Sequence, residues 1–153
     1  MIEFPLEVEA VLRLAGWFPG RSVPVHQWVD PLEALGYRAS PAAVEILATL
    51  GGLTVVPPPD ASNLFFPSPI VFDPVFAASS EFDRVAAWQT KYGIELFPLG
   101  EYDPVYLLLC APDKRIFGAR EGAFSLLGDT IQDALDLRIH ARRPPAPYPT
   151  VRH

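Results

Sequence analysis

Tyr106-Leu107-Leu108-Leu109-Cys110 is apolar from end to end, without the alternation of a strand that has one wet face. A run of this kind reads as a strand covered on both sides, so the chain must supply two layers to cover it. Ala111-Pro112-Asp113-Lys114 follows as a hairpin loop, leading into Arg115-Ile116-Phe117-Gly118 as a second strand. A local hairpin makes the pair antiparallel. The covering layers are helices, whose signals stand on either side of this region. The expectation is therefore an α+β fold: a mainly antiparallel sheet flanked by helices.

The helical signals come in series. Phe4, Val8, Val11, Leu12 and Ala15 share one face of a helix over about 4–15. Phe18-Pro19-Gly20-Arg21 then reads as a type II turn, with proline presetting φ and glycine supplying the positive φ. Trp17 and Phe18 put two large rings beside the reversal, and Arg21 is the charged residue at its exit. The stretch from Val25 to Leu35 carries Trp28, Val29 and Leu32, and Asp30-Pro31 within it looks like a fresh N-cap and first turn. Ser40-Pro41 starts a helix that carries Ala43, Ile46, Leu47 and Leu50 and stops at Gly51-Gly52. A further helix is expected over about 80–92, opened by Ser80 with Asp83 and closed by Gly93. The last helix runs from about Asp129 to Ile139, with Asp129 and Gln132 placed to cap it.

Short strands are expected at Leu53–Val56, Leu64–Phe66, Ile70–Phe72 and Ile94–Phe97, with prolines between them that suit edges or loops. Residues 1–140 form one domain in this reading. Residues 141–153, rich in proline and arginine, form an extended or disordered tail.

Charge separates the two parts. The 153 residues carry a net charge of −6, but residues 138–153 hold Arg138, Arg142, Arg143 and Arg152 and no acid. The remainder therefore has 18 acids against 8 bases, a net of −10. An acidic body repels nucleic acid and draws basic partners. No apolar run reaches the ~20 residues a membrane span needs. The N-terminus lacks a signal-peptide pattern, and the single cysteine fits a reducing compartment, so the expected location is the cytoplasm.

Catalytic and metal-binding patterns are sparse. His26, His140 and His153 lie far apart in sequence, with no His-x-x-x-His or Cys-x-x-Cys pair, so no metal ion or other cofactor is expected. Cys110 falls in the apolar strand, where burial makes a thiol inert. No nucleophile elbow or phosphate loop is present. Glu101 and Asp103, read as a loop after Phe97-Pro98-Leu99-Gly100, have three readings: a solvated loop, a contact surface for a basic partner, or a carboxylate pair for hydrolysis. Any tryptophan or phenylalanine exposed beside such acids is an interface anchor in waiting.

The order of the words carries a resemblance. Ala15-Gly16-Trp17-Phe18-Pro19-Gly20-Arg21 is followed by Ile46-Leu47-Ala48-Thr49-Leu50-Gly51-Gly52-Leu53. Phe97-Pro98-Leu99-Gly100-Glu101, the hairpin ending Arg115-Ile116-Phe117, and Gly128-Asp129-Thr130-Ile131-Gln132-Asp133-Ala134-Leu135 come after. This series resembles the third family of the SUKH superfamily over about residues 6–140. Two features depart from it: Asp113-Lys114-Arg115 stands where a turn glycine is expected, and residues 57–69 are rich in proline.

The resemblance implies an immunity protein, not an enzyme, that binds a cognate bacterial polymorphic toxin and occludes its active site. The toxin would be a basic protein such as a nuclease or nucleic-acid deaminase. Glu101, Asp103, Asp60 and Asp73 are the expected toxin contacts, as acids in loops. Gly16, Trp17, Pro19, Gly20, Arg21, Gly51, Gly52, Pro98 and Gly100 are expected to build the scaffold. The alternatives are a general protein-binding adaptor of the same fold and a small hydrolase using Glu101 and Asp103. Neither nucleic acid nor a membrane is expected as a direct partner.

Overall fold

Among the described residues, the run Tyr106–Cys110 is the fourth of seven strands and the middle of one antiparallel sheet. The computed structural model describes residues 2–59, 68–103, 105–140 and 145–148. Among them are helices α1 (Leu6–Leu14), α2 (His26–Ala34), α3 (Pro41–Leu50), α4 (Pro74–Ala78), α5 (Phe82–Tyr92) and α6 (Ile131–His140). The strands are β1 (Thr54–Val55), β2 (Ile70–Val71), β3 (Phe97–Tyr102), β4 (Tyr106–Cys110), β5 (Ile116–Arg120), β6 (Ala123–Gly128) and β7 (Ala146–Pro147). Each pairs with its neighbour in chain order, so the α+β class expected from the sequence is the one observed.

Both faces of β4 are covered, for reasons visible in the register. Leu107, Ala119 and Phe124 pair across β4, β5 and β6 on one face, while Leu108, Gly118 and Ser125 do so on the other. α5 covers the first face, with Tyr92 stacked on Phe124 at 4.4 Å and Trp88 beside it at 5.8 Å. α6 lies on the second face, close enough to Gly128 that a Cβ there would meet the Ala134 nitrogen at 2.6 Å. Gly118, on that same face, leaves room for the Tyr102 hydroxyl, which would stand 1.8 Å from an added Cβ.

The turn after α1 and the end of α3 form one structure. Arg21 N–H donates to Phe18 C=O at 3.0 Å and Gly20 has φ +83°, as a type II turn requires. The Arg21 side chain then donates to the C=O groups of Thr49 (2.8 Å) and Gly51 (2.9 Å), two carbonyls at the end of α3. A guanidinium at a helix C-terminus satisfies carbonyls the helix cannot and sits at the negative end of its dipole. Trp28 packs against Gly51, where a Cβ would meet its ring at 2.4 Å, and the left-handed turn falls on Gly52 (φ +84°). Trp17 meets Phe4 edge to face at 5.4 Å.

Several local expectations are corrected. α2 runs through Pro31 from His26, so Asp30 caps nothing; the N–H that Pro31 lacks would have served the carbonyl of Gln27, an exposed residue. α5 begins after Glu81 without a side-chain cap, because Ser79 and Ser80 close the preceding helix α4. In α6 the cap is Thr130, whose Oγ1 accepts from Asp133 N–H at 3.2 Å, while Gln132 donates to Glu3 C=O instead. Pro98, Gly100 and Glu101 lie inside β3, which starts where the Ile94–Phe97 strand was expected to end. α4 and β6 had no counterpart in the sequence reading. Leu64–Phe66 fall outside the described residues. Within the tail, Ala146 and Pro147 are extended and pair with Leu126 and Ser125.

Candidate functional site

Asp73 and Glu101 are brought together by strand register. Val71 pairs with Glu101 across β2 and β3, and two residues later Asp73 caps α4, its Oδ1 accepting from Phe76 N–H at 3.1 Å. Pro74 at the first position suits a helix start, which is why so short an element forms there. The cap fixes α4 over β3 and turns Phe76 outward, 76% exposed. Glu101 projects from the β3 face opposite Tyr102. Burial, and secondarily the Asp73 charge, raise its carboxyl above the ordinary glutamate range. The result is a half-buried acid near a capping acid, with an exposed phenyl ring on the helix that the second acid caps.

Asp103 belongs elsewhere. It turns the chain at φ +57°, donates its N–H to Ser68 Oγ at 3.0 Å, and sets Oδ2 3.5 Å from Arg138 Nη2. Arg138 is 4% exposed and lies over the Tyr102 ring at 4.2 Å; Tyr102 stacks on Tyr106 at 5.0 Å and 6°, and Arg120 lies over Tyr106 at 5.5 Å. This arginine–tyrosine–tyrosine–arginine stack consumes Asp103 as its counter-charge. The two carboxylates read as a loop pair thus serve different groups on different faces, and the hydrolase alternative needed them together in one pocket. A cleft of about 440 Å³ does exist, lined by Ile2, Ala42, Glu45, Ile46, Lys114 and Gln132, and neither carboxylate reaches it. Asp60, the remaining predicted contact, lies outside the described residues, as do Arg142, Arg143, Arg152 and His153.

Two other expectations meet the geometry directly. Cys110 is buried, and desolvation pushes its thiol up to about 12, so it stays protonated at neutral pH. Lys114 adopts φ +80° at the β4–β5 turn, the conformation a glycine was expected to supply. His140 and Asp136 of α6 and Glu7 of α1 form a cluster with potential ligand atoms within 4.8 Å of one another. Its contacts use opposite ring nitrogens: Nδ1 meets Asp136 Oδ1 at 2.8 Å and Nε2 faces Glu7 Oε2 at 3.9 Å. That is a bridge between two helices, whereas a metal needs its donors aimed at one point.

Phe76 was missed because α4 was missed. A signal was present in Asp73-Pro74, the same cap-then-proline pattern read correctly at Ser40-Pro41.

The fold defines a class: an α+β domain with helices on both faces of an antiparallel sheet. The SUKH-3 immunity protein family matches residues 4–138, and the chain belongs to that family. Among curated proteins and among solved structures no match was found. Membership implies toxin immunity through binding of a cognate toxin. No helix among the described residues is long and apolar enough to cross a membrane.

Proposed function

We propose that the protein neutralises its toxin by covering the toxin's active site with the surface built from Asp73, Phe76 and Glu101. The observation that carries this reading is Phe76, an exposed phenyl ring on the short helix that Asp73 caps, with Glu101 close enough to Asp73 to feel its charge. Interfaces are dominated by a few aromatic anchors surrounded by polar groups, and an acidic rim selects a basic partner and speeds its approach. Enzymes that act on nucleic acid need basic substrate channels, so a nuclease or a nucleic-acid deaminase fits this surface. Inhibition by cover needs shape and charge and no reacting group. Asp60, in the adjoining proline-rich segment, is a further contact in this proposal. Asp103 contributes through the turn it holds.

Co-expression with the toxin encoded beside it tests the reading through rescue of growth and co-purification. Phe76→Ala should weaken toxin binding at least tenfold, while the exposed ring's loss leaves stability within about 0.5 kcal/mol. Glu101→Lys should slow association and flatten its dependence on salt. Full rescue and unchanged affinity in both variants would remove this surface from consideration.

A further inference from the structure

Four arginines among the described residues lie over aromatic rings: Arg13 over Trp17 at 5.6 Å, Arg115 over Phe117 at 5.3 Å, Arg120 over Tyr106 at 5.5 Å and Arg138 over Tyr102 at 4.2 Å. Three of them also hold a carboxylate: Arg13 has Glu9, Arg115 has Asp113 and Arg138 has Asp103. Arg120 does not. Among the described residues its guanidinium makes no hydrogen bond and no ion pair.

The support beneath Arg120 is nevertheless complete. Arg120 ends β5 and is exposed, whereas its ring belongs to a stack that begins in the core. Arg138, 4% exposed, fixes Tyr102, and Tyr102 lies parallel to Tyr106 at 5.0 Å and 6°. A surface arginine ordinarily gives up rotamer freedom when it binds. Here the Tyr106 ring restricts the side chain beforehand, and the N–H donors of the guanidinium are left for a ligand. Such a cation also stands against its surroundings, since the chain before Arg138 carries 18 acids and 8 bases.

We propose that Arg120 is a specificity contact that takes a carboxylate side chain of the bound toxin, with Tyr106 as its positioning residue. This deepens the function proposed above and rests on its central claim, that the chain binds a toxin. Tyr102 ends β3 one residue after Glu101, Tyr106 opens β4 and Arg120 ends β5, so all stand at one end of the sheet. Arg120 is two strands from β3, about 10 Å, a distance that a partner covering about 800 Å² spans. Glu101 and Arg120 belong to opposite faces, and a toxin seated over the sheet end meets both. Val105, next to Tyr106 in the chain and 56% exposed, adds apolar area at the same end. Acidic contacts alone would draw any basic protein. A guanidinium beside them rejects a surface that places a cation there and favours one that places aspartate or glutamate, whose two oxygens match the planar fork.

Isothermal titration of the protein with the purified toxin encoded beside it, both treated with nuclease, measures the contact. Arg120→Ala should weaken binding roughly ten- to a hundredfold and Arg120→Glu more, while both melt within about 4 °C of the wild type. Arg120→Lys should recover part of the loss. Tyr106→Leu should weaken binding by itself yet change little when added to Arg120→Ala, a non-additivity that a merely structural ring would not produce. Among Asp→Lys and Glu→Lys variants of the toxin that remain toxic alone, one should be neutralised again by Arg120→Glu. Unchanged affinity in Arg120→Ala and Arg120→Glu would overturn the assignment, as would the lack of any compensating change on the toxin. A loss seen only when nucleic acid is left in the mixture would also overturn it, by assigning the guanidinium to phosphate. Phe76→Ala and Glu101→Lys in the same titration keep the two proposals apart. Full affinity there with a loss at Arg120 removes the acidic surface and keeps this contact; the reverse removes Arg120 alone, and absence of any complex removes both.

Discussion

Arg21 links a turn to a helix end through two charge-assisted hydrogen bonds, and its replacement isolates that link. Arg21→Ala should cost about 2 kcal/mol, read as a lower midpoint in urea unfolding, and Arg21→Lys should recover only part, since an ammonium cannot span both carbonyls. Gly100 is a stricter case. A Cβ there would stand 2.0 Å from the Val71 carbonyl oxygen, and backbone cannot swing aside as a side-chain tip does. Gly100→Ala should therefore lose about 2 kcal/mol or more, and a thermal midpoint equal to that of the wild type would contradict the close approach. Glu101 makes a prediction with a sign. Its folded-state affinity for protons is raised, so its contribution is complete at low pH and declines as pH climbs through the raised value. Glu101→Gln removes that decline, so the variant should gain on the wild type from the ordinary glutamate range toward neutrality. A melting-temperature difference that stays flat with pH would contradict this.

At the scale of elements, legibility followed how local the cause was. α3 was readable to its ends because Ser40, Pro41 and the double glycine act within a turn of themselves. β4 was readable because burial on both sides leaves no alternation to misread. α2 was split at Pro31, since a proline's interruption depends on whether the carbonyl it deprives is wet, which no local pattern states. Glu101 was put in a loop because Pro98 and Gly100 resemble loop residues. Only the approach of β2 shows that Gly100 is small to admit the Val71 carbonyl. The pairing of Glu101 with Asp73 spans β2, α4 and β3, and the diversion of Asp103 to Arg138 spans β3 and α6, so both arise from tertiary register. β6 carries no comparable local signal: Ser125 interrupts its apolar residues in mid-strand, and the burial that makes it a strand comes from β5 beside it. The position of Lys114 at φ +80° adds a test at this scale. Lys114→Gly should stabilise the hairpin by a few tenths to 1 kcal/mol in thermal unfolding, as relief of a left-handed lysine predicts.

At the scale of the whole molecule, the C-terminal segment is structurally committed where it is described. Tyr148 donates its N–H to Phe124 C=O at 3.0 Å, sets its ring 5.1 Å from Phe117, and receives Arg115 on its hydroxyl at 3.2 Å. Tyr148→Ala should accordingly lower stability by roughly 1–3 kcal/mol in chemical denaturation, far more than a loose chain end allows. The same region bears on self-association. Among the described residues, strands β1 and β7 lie at the two margins of the sheet; each is two residues long, the first runs into Pro57-Pro58-Pro59, and the second contains Pro147. Short margins with missing backbone donors give an incoming strand nothing to register against. The two margins described should therefore offer a second sheet little to pair with when the protein is concentrated.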